Sequence, residues 1–318
     1  MRIIFFGTPE FSVPSLQQVM EASHEVAAVV TQPDRPKGRA KEPVHPAVKE
    51  AALAAGLQVL QPEKPQDENF LQSIRALRPE CAVVVAYGRI LPPALLSLFQ
   101  KGAVNLHPSL LPKFRGAAPI QWTLIRGEQE TGVTIFRLDD QLDHGPILLQ
   151  MHHKIDPQDN AETLSDLLST VGARALVDAL ELLENGRAHL HPQNDEAATA
   201  APPLRKKDGI IRWEEDCTAV HNRVRGVQPW PGALTESEGK LLKLLETFPD
   251  DSRNAAGEKP GAIVSADEVH GLWVQTGSGQ LRIDRLQMEG GKALDTGSFL
   301  RGHRLSAGTS FTRPKQSL

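Results

Sequence analysis

At 318 residues, with 40% hydrophobic and 23% charged side chains and a mean hydropathy of −0.29, the chain is long enough to divide into two domains and too apolar to be disordered. No apolar run approaches the ~18 residues of a membrane span, the opening MRIIFFG is too short for a secretory leader, and Cys81 and Cys217 alone cannot build a disulfide framework or a zinc site, so a reducing cytoplasm is expected. A net charge of −4 and a pI near 6.3 argue against nucleic-acid binding through overall basicity.

Residues 2–6 form a short Ile/Phe run followed at once by Gly7, the pattern of a buried parallel strand. Phe11, Val13, Leu16, Val19 and Met20 then recur at helical spacing. Further strands are expected at 25–31, 57–60 and 81–86, with helices at 47–55 and 67–77 between them. This alternation predicts a doubly wound, Rossmann-like α/β domain. After a strand at 103–106 come strands at 132–138 and 147–151. A long amphipathic helix at 161–184 follows, with Asn160 and Thr163 placed to cap it.

Residues 192–204, poor in large apolar side chains and ending near two prolines, read as a linker between domains 1–191 and 205–318. Beyond it, short strands are expected at 209–213, 241–248, 261–265, 271–276 and 280–288, with one helix at 217–227. That predicts a smaller OB-like β-barrel, a fold that commonly binds nucleic acid. Residues 205–318 hold 17 Lys/Arg against 15 Asp/Glu, whereas residues 1–204 hold 18 against 24. The acidity therefore belongs to the N-terminal domain, and the barrel is mildly basic.

Four segments carry candidate chemistry. GTPEF at 7–11 is a strand-to-helix turn without the G-x-G-x-x-G fingerprint, so a nicotinamide cofactor is not expected. TQPDRPKGRAK at 31–41 packs four cations into seven residues. It reads equally as a solvated loop or as an arm that contacts RNA phosphates. NLHPSLLPKFRG at 105–116 starts where a parallel strand ends, the edge at which α/β folds bind ligands. Alternation puts Asn105 and His107 on one side of that strand, placed to bind a carbonyl oxygen and stabilise it as an oxyanion. DDQLDHGP at 139–146 offers three carboxylates and His144 but no recognised metal-ligand spacing. A carboxylate from it placed beside His107 would orient the imidazole and accept a proton.

Seven ordered blocks, FFGTPEFSVPSL, TQPDRPKGR, NLHPSLLPKFRGAAPIQW, LDHGPIL, IIRW, HNRVRGVQPWPGA and FLRGHRL, together resemble the bacterial methionyl-tRNA formyltransferase family from end to end. The resemblance implies transfer of a formyl group from N10-formyltetrahydrofolate, a co-substrate, to the α-amino group of methionine on initiator tRNA. No metal is implied, and a monomer is expected. Residue by residue, it places the catalytic Asn, His and Asp on Asn105, His107 and Asp143. The folate-binding segment falls on Ser109, Leu110, Leu111 and Pro112, with Ile90 and Leu91 beside it. It implies a tRNA contact at Arg39, and the tRNA acceptor arm is expected to meet Lys41 as well, together with Arg205, Lys206 and Lys207 on a basic face shared with Arg223 and Arg225. His107 is expected to act as an imidazolium whose pKa Asp143 raises.

Two departures from the family pattern stand out: Ala40-Lys41-Glu42 follows the loop arginine, and residues 250–259 form a polar excursion. Three other readings remain open on the residues alone. They are a formyltransferase for a small amine or a formyltetrahydrofolate hydrolase, an RNA-binding module on a silent scaffold, and a metal-dependent hydrolase using Asp139, Asp143 and His144.

Overall fold

A computed structural model describes residues 1–36 and 43–314. In chain order it contains β1 (Arg2–Gly7), α1 (Val13–Glu21), β2 (Glu25–Val30), β3 (Arg35–Pro36), β4 (Pro43–Val44), α2 (Ala47–Ala54), β5 (Val59–Leu60) and α3 (Glu68–Ala76). Then come β6 (Cys81–Val85), α4 (Pro93–Leu96), β7 (Ala103–His107), α5 (Pro119–Ile125), β8 (Glu130–Arg137), β9 (Ile147–Lys154) and α6 (Ala161–Glu184). The remainder is α7 (Cys217–Gly226), β10 (Ala233–Ser237), β11 (Lys240–Asp250), β12 (Ile263–Asp267), β13 (Gly271–Gln275), β14 (Gln280–Met288), β15 (Ala293–Asp295) and α8 (Thr296–Gly302). Two compact units result. One comprises Met1–Gly116, Glu130–Lys154 and Ser165–Ala201; the other comprises Ala117–Gln129, Ile155–Leu164 and Pro202–Leu318.

The first unit is built on a seven-stranded sheet ordered β5-β2-β1-β6-β7-β8-β9. Strands β5 through β7 are parallel, and β8 and β9 add antiparallel pairs at one edge. This is the doubly wound α/β arrangement expected from the strand–helix alternation, with the chain reversing direction across the sheet between β1 and β6. All five residues of β6 and Ile3 to Phe6 of β1 are buried, which explains their unbroken apolar runs: a central strand covered on both faces has no polar side to show. Ile4, Phe6, Ala82 and Val84 share one face with Phe70, Leu71 and Ile74 of α3, and Phe6 meets Tyr87 edge-on at 5.4 Å. Asp67 caps α3 by accepting from the backbone N–H of Asn69 and Phe70, and Asn160 caps α6 through Glu162 and Thr163.

The second unit carries an antiparallel sheet ordered β10-β11-β14-β13-β12, with β15 on β14. Its two edges are joined by the chain after α8. Thr312 pairs with Glu236 in β10, Phe311 N–H donates to Gly261 and Ile263 N–H donates to Thr309 beside β12, which closes the sheet into a barrel. Val220 and Val224 of α7 join Leu242, Leu272, Leu281 and Phe299 in its core, and Ile125 of α5 packs against that core.

The strand expected at 209–213 does not form. A short 3-10 turn (Lys206–Gly209) runs into a single bridge between Ile210 and Leu234. The apolar alternation there has another cause. Ile211 and Trp213 are core residues, with Trp213 stacked on Phe311 and donating its indole N–H to Thr235 Oγ1. Strand β10, at five residues, and helices α5 and α8, at seven each, are too short for a repeating apolar pattern to stand out in the sequence.

Candidate active site

Strand β7 ends at the sheet edge beside the loops that follow β1 and β6. Gly7 of β1 is in register with Val85 of β6, and Val84 and Val85 with Asn105 and Leu106 of β7. Three loops are tied there on one carbonyl: Thr8 Oγ1 and Gln32 Nε2 both donate to Tyr87 O at 3.0 Å. Farther along, Asp34 holds Lys49, His45 and Gln61. The Lys49 ammonium and the Gln61 amide keep its carboxyl down to about 2. This cluster bases the hairpin of β3 and β4; Arg39 and Lys41 lie outside the described residues.

Asn105 is half-buried, and its Oδ1 is buried with no hydrogen-bond partner among the described residues. Leaving a buried amide oxygen unmatched costs on the order of 1–3 kcal/mol, a cost that functional sites retain when a ligand supplies the partner. His107, 4% exposed, lies two residues on. Its Nε2 is 2.9 Å from Phe114 O, and a carbonyl only accepts, so Nε2 carries the proton. Nδ1 then faces Asp143 Oδ2 at 3.7 Å. Burial pushes the His107 pKa below the ordinary imidazole value, against the opposing pull of the Asp143 charge and the Phe114 carbonyl. The resting ring is therefore neutral. The expected standing imidazolium does not survive burial, and Nε2 is already committed to Phe114.

The loop after His107 is held from within. Ser109 Oγ donates to Lys113 O, and Thr134 Oγ1 donates to Ser109 O while accepting from Leu111 N–H. Gln150 Nε2 bonds both Leu111 O and Thr134 Oγ1. At its far end Phe114 adopts φ 62°, a left-handed conformation costly for a side-chain-bearing residue. It is kept there by His107 on its carbonyl and Thr199 Oγ1 on its N–H at 2.8 Å.

Asp143 also has a positive φ, 50°. Its Oδ2 accepts from Gly116 N–H at 2.8 Å, which aims the carboxylate at the His107 ring. Two glycines permit this approach. A Cβ on Gly145 would lie 1.8 Å from Arg137 O, and one on Gly116, at φ +128°, would lie 2.5 Å from Ala201 O. The neighbouring acids diverge. His144 Nδ1 pairs with Asp139 at 2.7 Å, which raises the His144 pKa, and its Nε2 lies 3.5 Å from Asp195. Asp139 and His144 thus pair with each other while Asp143 turns to His107. Among the described residues, no group of three His, Cys, Asp or Glu gathers as a metal-binding cluster.

The sequence-derived site residues divide by environment. Asn105, His107 and Asp143 belong to one constellation. Of the expected folate segment, Ser109 and Leu111 are buried and Leu110 and Pro112 half-buried. Leu91 packs in the core with Phe6 and Tyr87, whereas Ile90 is 79% exposed. In the second unit Arg205, Lys206 and Lys207 are exposed. Arg223 and Arg225, expected on the same basic face, are buried instead. Arg223 grips Glu215 through two nitrogens, and Arg225 binds Asn222 Oδ1 and the carbonyls of Asp156 and Asp159. Sequence reasoning missed Thr134, Gln150, Gln193 and Thr199, which act through hydrogen bonds spanning 16 to 85 residues of chain.

The family described as formyl transferase matches residues 1–180, and that described as formyl transferase, C-terminal domain, matches residues 203–304. A methionyl-tRNA formyltransferase of Pelotomaculum thermopropionicum is 45% identical over 97% of both chains. One of Syntrophus aciditrophicus is 46% identical over 96% of this chain and 97% of its own. Among solved structures, HypX from Aquifex aeolicus in complex with tetrahydrofolic acid aligns with a TM-score of 0.63 at 18% identity, over 97% of this chain and 50% of that one. An N-formyltransferase from Helicobacter canadensis in complex with folinic acid and dTDP-3-aminofucose aligns at 0.65 and 16% identity, over 88% of this chain and 98% of its own. These structures share the fold. Among the described residues no helix is long and apolar enough to cross a membrane. By its match to curated relatives along nearly its whole length, the chain belongs to the methionyl-tRNA formyltransferase family, enzymes that transfer formyl groups.

Proposed function

We propose that the protein transfers the formyl group of N10-formyltetrahydrofolate to the α-amino group of methionine esterified to initiator tRNA. The observation that carries the chemistry is the convergence of Asn105, His107 and Asp143 at the end of β7, with one unmatched amide oxygen and one imidazole nitrogen left for substrate. The relatives' shared name supports the acceptor. The exposed Arg205, Lys206 and Lys207 support contacts to the tRNA phosphates; Arg39 is assigned the same role by family resemblance, and Lys41 by its place in the same basic segment.

The co-substrate supplies the formyl carbonyl, beside the loop of Ser109, Leu110, Leu111 and Pro112 and the Ile90–Leu91 turn. An α-amino group titrates near ~8 and lower once its carboxyl is esterified, so the nucleophile is largely neutral at pH 7.5. Asn105 Oδ1 accepts an N–H of the attacking amine, and its amide N–H donates to the formyl oxygen as negative charge develops there. The nitrogen turns acidic as its bond to carbon forms. Neutral His107 takes that proton at Nδ1, the nitrogen Phe114 leaves free, and Asp143 stabilises the imidazolium produced; as the oxyanion collapses, the bond from the formyl carbon to N10 breaks and that proton passes to N10, releasing tetrahydrofolate and the formylated amine. No covalent enzyme intermediate is needed, and burial holds the Cys81 thiol up at about 12.

Asn105→Asp tests the assignment, because it replaces the donor by a carboxylate. Loss of one oxyanion donor costs ~10²–10³ in rate. The expected result is that loss in single-turnover formyl transfer with tetrahydrofolate binding retained; an unchanged rate contradicts the role.

A further inference from the structure

Residues 192–201 run along the catalytic loop. Arg115 N–H donates to Thr199 O, Ala201 N–H donates to Arg115 O, and Phe114 N–H is held by Thr199 Oγ1. Gln193 occupies the centre of this strip. Its Nε2 donates to Asp143 O at 2.9 Å and to Gly145 O at 2.8 Å, spending both amide protons on the backbone of the left-handed turn that carries the catalytic carboxylate. Its Oε1 accepts from Arg115 Nε and Nη2 at 3.1 and 2.8 Å, and the same guanidinium pairs with Asp195.

The contacts close a circuit. Arg115 orients the Gln193 amide, Gln193 clamps the backbone at Asp143, and the Asp143 carboxylate returns to the N–H of Gly116, next to Arg115. A primary amide is the neutral side chain that meets both demands, two donors on one side and one acceptor on the other. Left-handed geometry at Asp143 is unfavourable by itself, so its carboxylate holds its place only while the surroundings enforce the turn. The Asp143–His107 separation, 3.7 Å, is one over which a shift of ~1 Å changes the charge felt by the ring.

We infer that Gln193, oriented by Arg115, is the positioning residue that fixes Asp143 against His107. The inference rests on the catalytic reading of Asp143. Gln193 touches no reacting atom and acts through the turn, so its loss appears in kcat and in His107 titration rather than in substrate binding.

Two variants of the full-length protein separate donation from anchoring. Gln193→Met keeps length but loses donors and acceptor. Gln193→Glu also loses the donors but keeps and strengthens the Arg115 contact. Both are expected to lower kcat for formyl transfer by about tenfold to a hundredfold, the range for misplaced supporting groups, with KM values within about threefold of wild type. NMR titration of the His107 ring in Gln193→Met is expected to show a pKa below that of wild type, because the carboxylate that raises it has moved away. A loss confined to Gln193→Met, with Gln193→Glu at wild-type kcat, overturns the inference, since Arg115 anchoring alone would then suffice. An unshifted His107 titration in folded Gln193→Met also overturns it; should that variant not fold, kcat of Gln193→Glu decides. Asp143→Asn separates the two levels. If it retains wild-type kcat, the catalytic reading of Asp143 fails; if it loses rate while both Gln193 variants do not, the positioning role fails.

Discussion

His107 donates its Nε2 proton to the carbonyl oxygen of Phe114 across 2.9 Å, and this contact decides which face of the ring is available for chemistry. With burial disfavouring the charged ring, the resting state is the neutral Nε2–H tautomer. Nitrogen-15 shifts of His107 at pH 7.5 are expected to report a protonated Nε2 and a bare Nδ1, with titration below the ordinary ~6.5. A ring doubly protonated at pH 7.5 contradicts the proton-acceptor role.

Gly145 tests how tightly the Asp143 turn is built. In Gly145→Ala the new Cβ would meet Arg137 O at 1.8 Å, a backbone atom that cannot yield cheaply. The variant is expected to lose about 2–3 kcal/mol of stability, by denaturant melts, together with most of its activity. Gly186→Ala is the control. It has nothing within 4 Å but a φ of +66°, so it is expected to lose about 1 kcal/mol with activity intact.

Basic residues of the second unit should separate into two kinds. Arg205, Lys206 and Lys207 are exposed, and replacing all three by Ala is expected to leave the melting temperature within ~2 °C. The same change is expected to weaken tRNA binding and flatten its dependence on salt by up to about three in the log–log slope. Arg223→Ala strands Glu215 beside a buried site and is expected to cost about 3 kcal/mol. Binding assays across 50–200 mM salt with parallel melts distinguish the two; salt-insensitive binding by the wild type contradicts phosphate contacts.

His221 is one source of acid sensitivity in the second unit. Burial and the nearby Arg225 charge push its pKa down to about 4, while Nδ1 meets Thr247 Oγ1 at 2.9 Å. Unfolded histidine titrates near ~6.5. Between about pH 6.5 and 4 the unfolded chain therefore binds a proton that the folded one refuses, and stability falls as pH falls, by roughly 3 kcal/mol at most from this residue. In His221→Gln the drop in unfolding free energy from pH 7.5 to pH 5 is expected to shrink. An unchanged drop assigns the acid sensitivity to other groups.

Much of the scaffold is legible in the residues because its causes are local. Apolar runs give β1 and β6, the 3.6-residue repeat gives α6 at its observed bounds, and the strand-end position brings Asn105 and His107 together. Residues 209–213 show the limit: their alternation is real, but it serves the core positions of Ile211 and Trp213, not a ladder. Barrel closure by residues 308–312 depends on both sheet edges at once, which no window of sequence contains. Composition reads 192–204 as a linker, and its local character does not show that Gln193 bonds to the backbone of Asp143 and Thr199 to that of Phe114. Whole-chain charge is a poor guide for a related reason. It counts buried Arg223 and Arg225, held by internal partners, together with exposed Lys206 and Lys207.

The central claim is the acceptor, and one assay addresses it most directly: formyl transfer by the wild-type protein from N10-formyltetrahydrofolate to charged initiator tRNA, with glycinamide ribonucleotide present as a competing amine. The account predicts formyl-methionyl-tRNA as the product, with no detectable formylation of the competitor. Formylation of the small amine with the tRNA left untouched, or release of free formate alone, would contradict it.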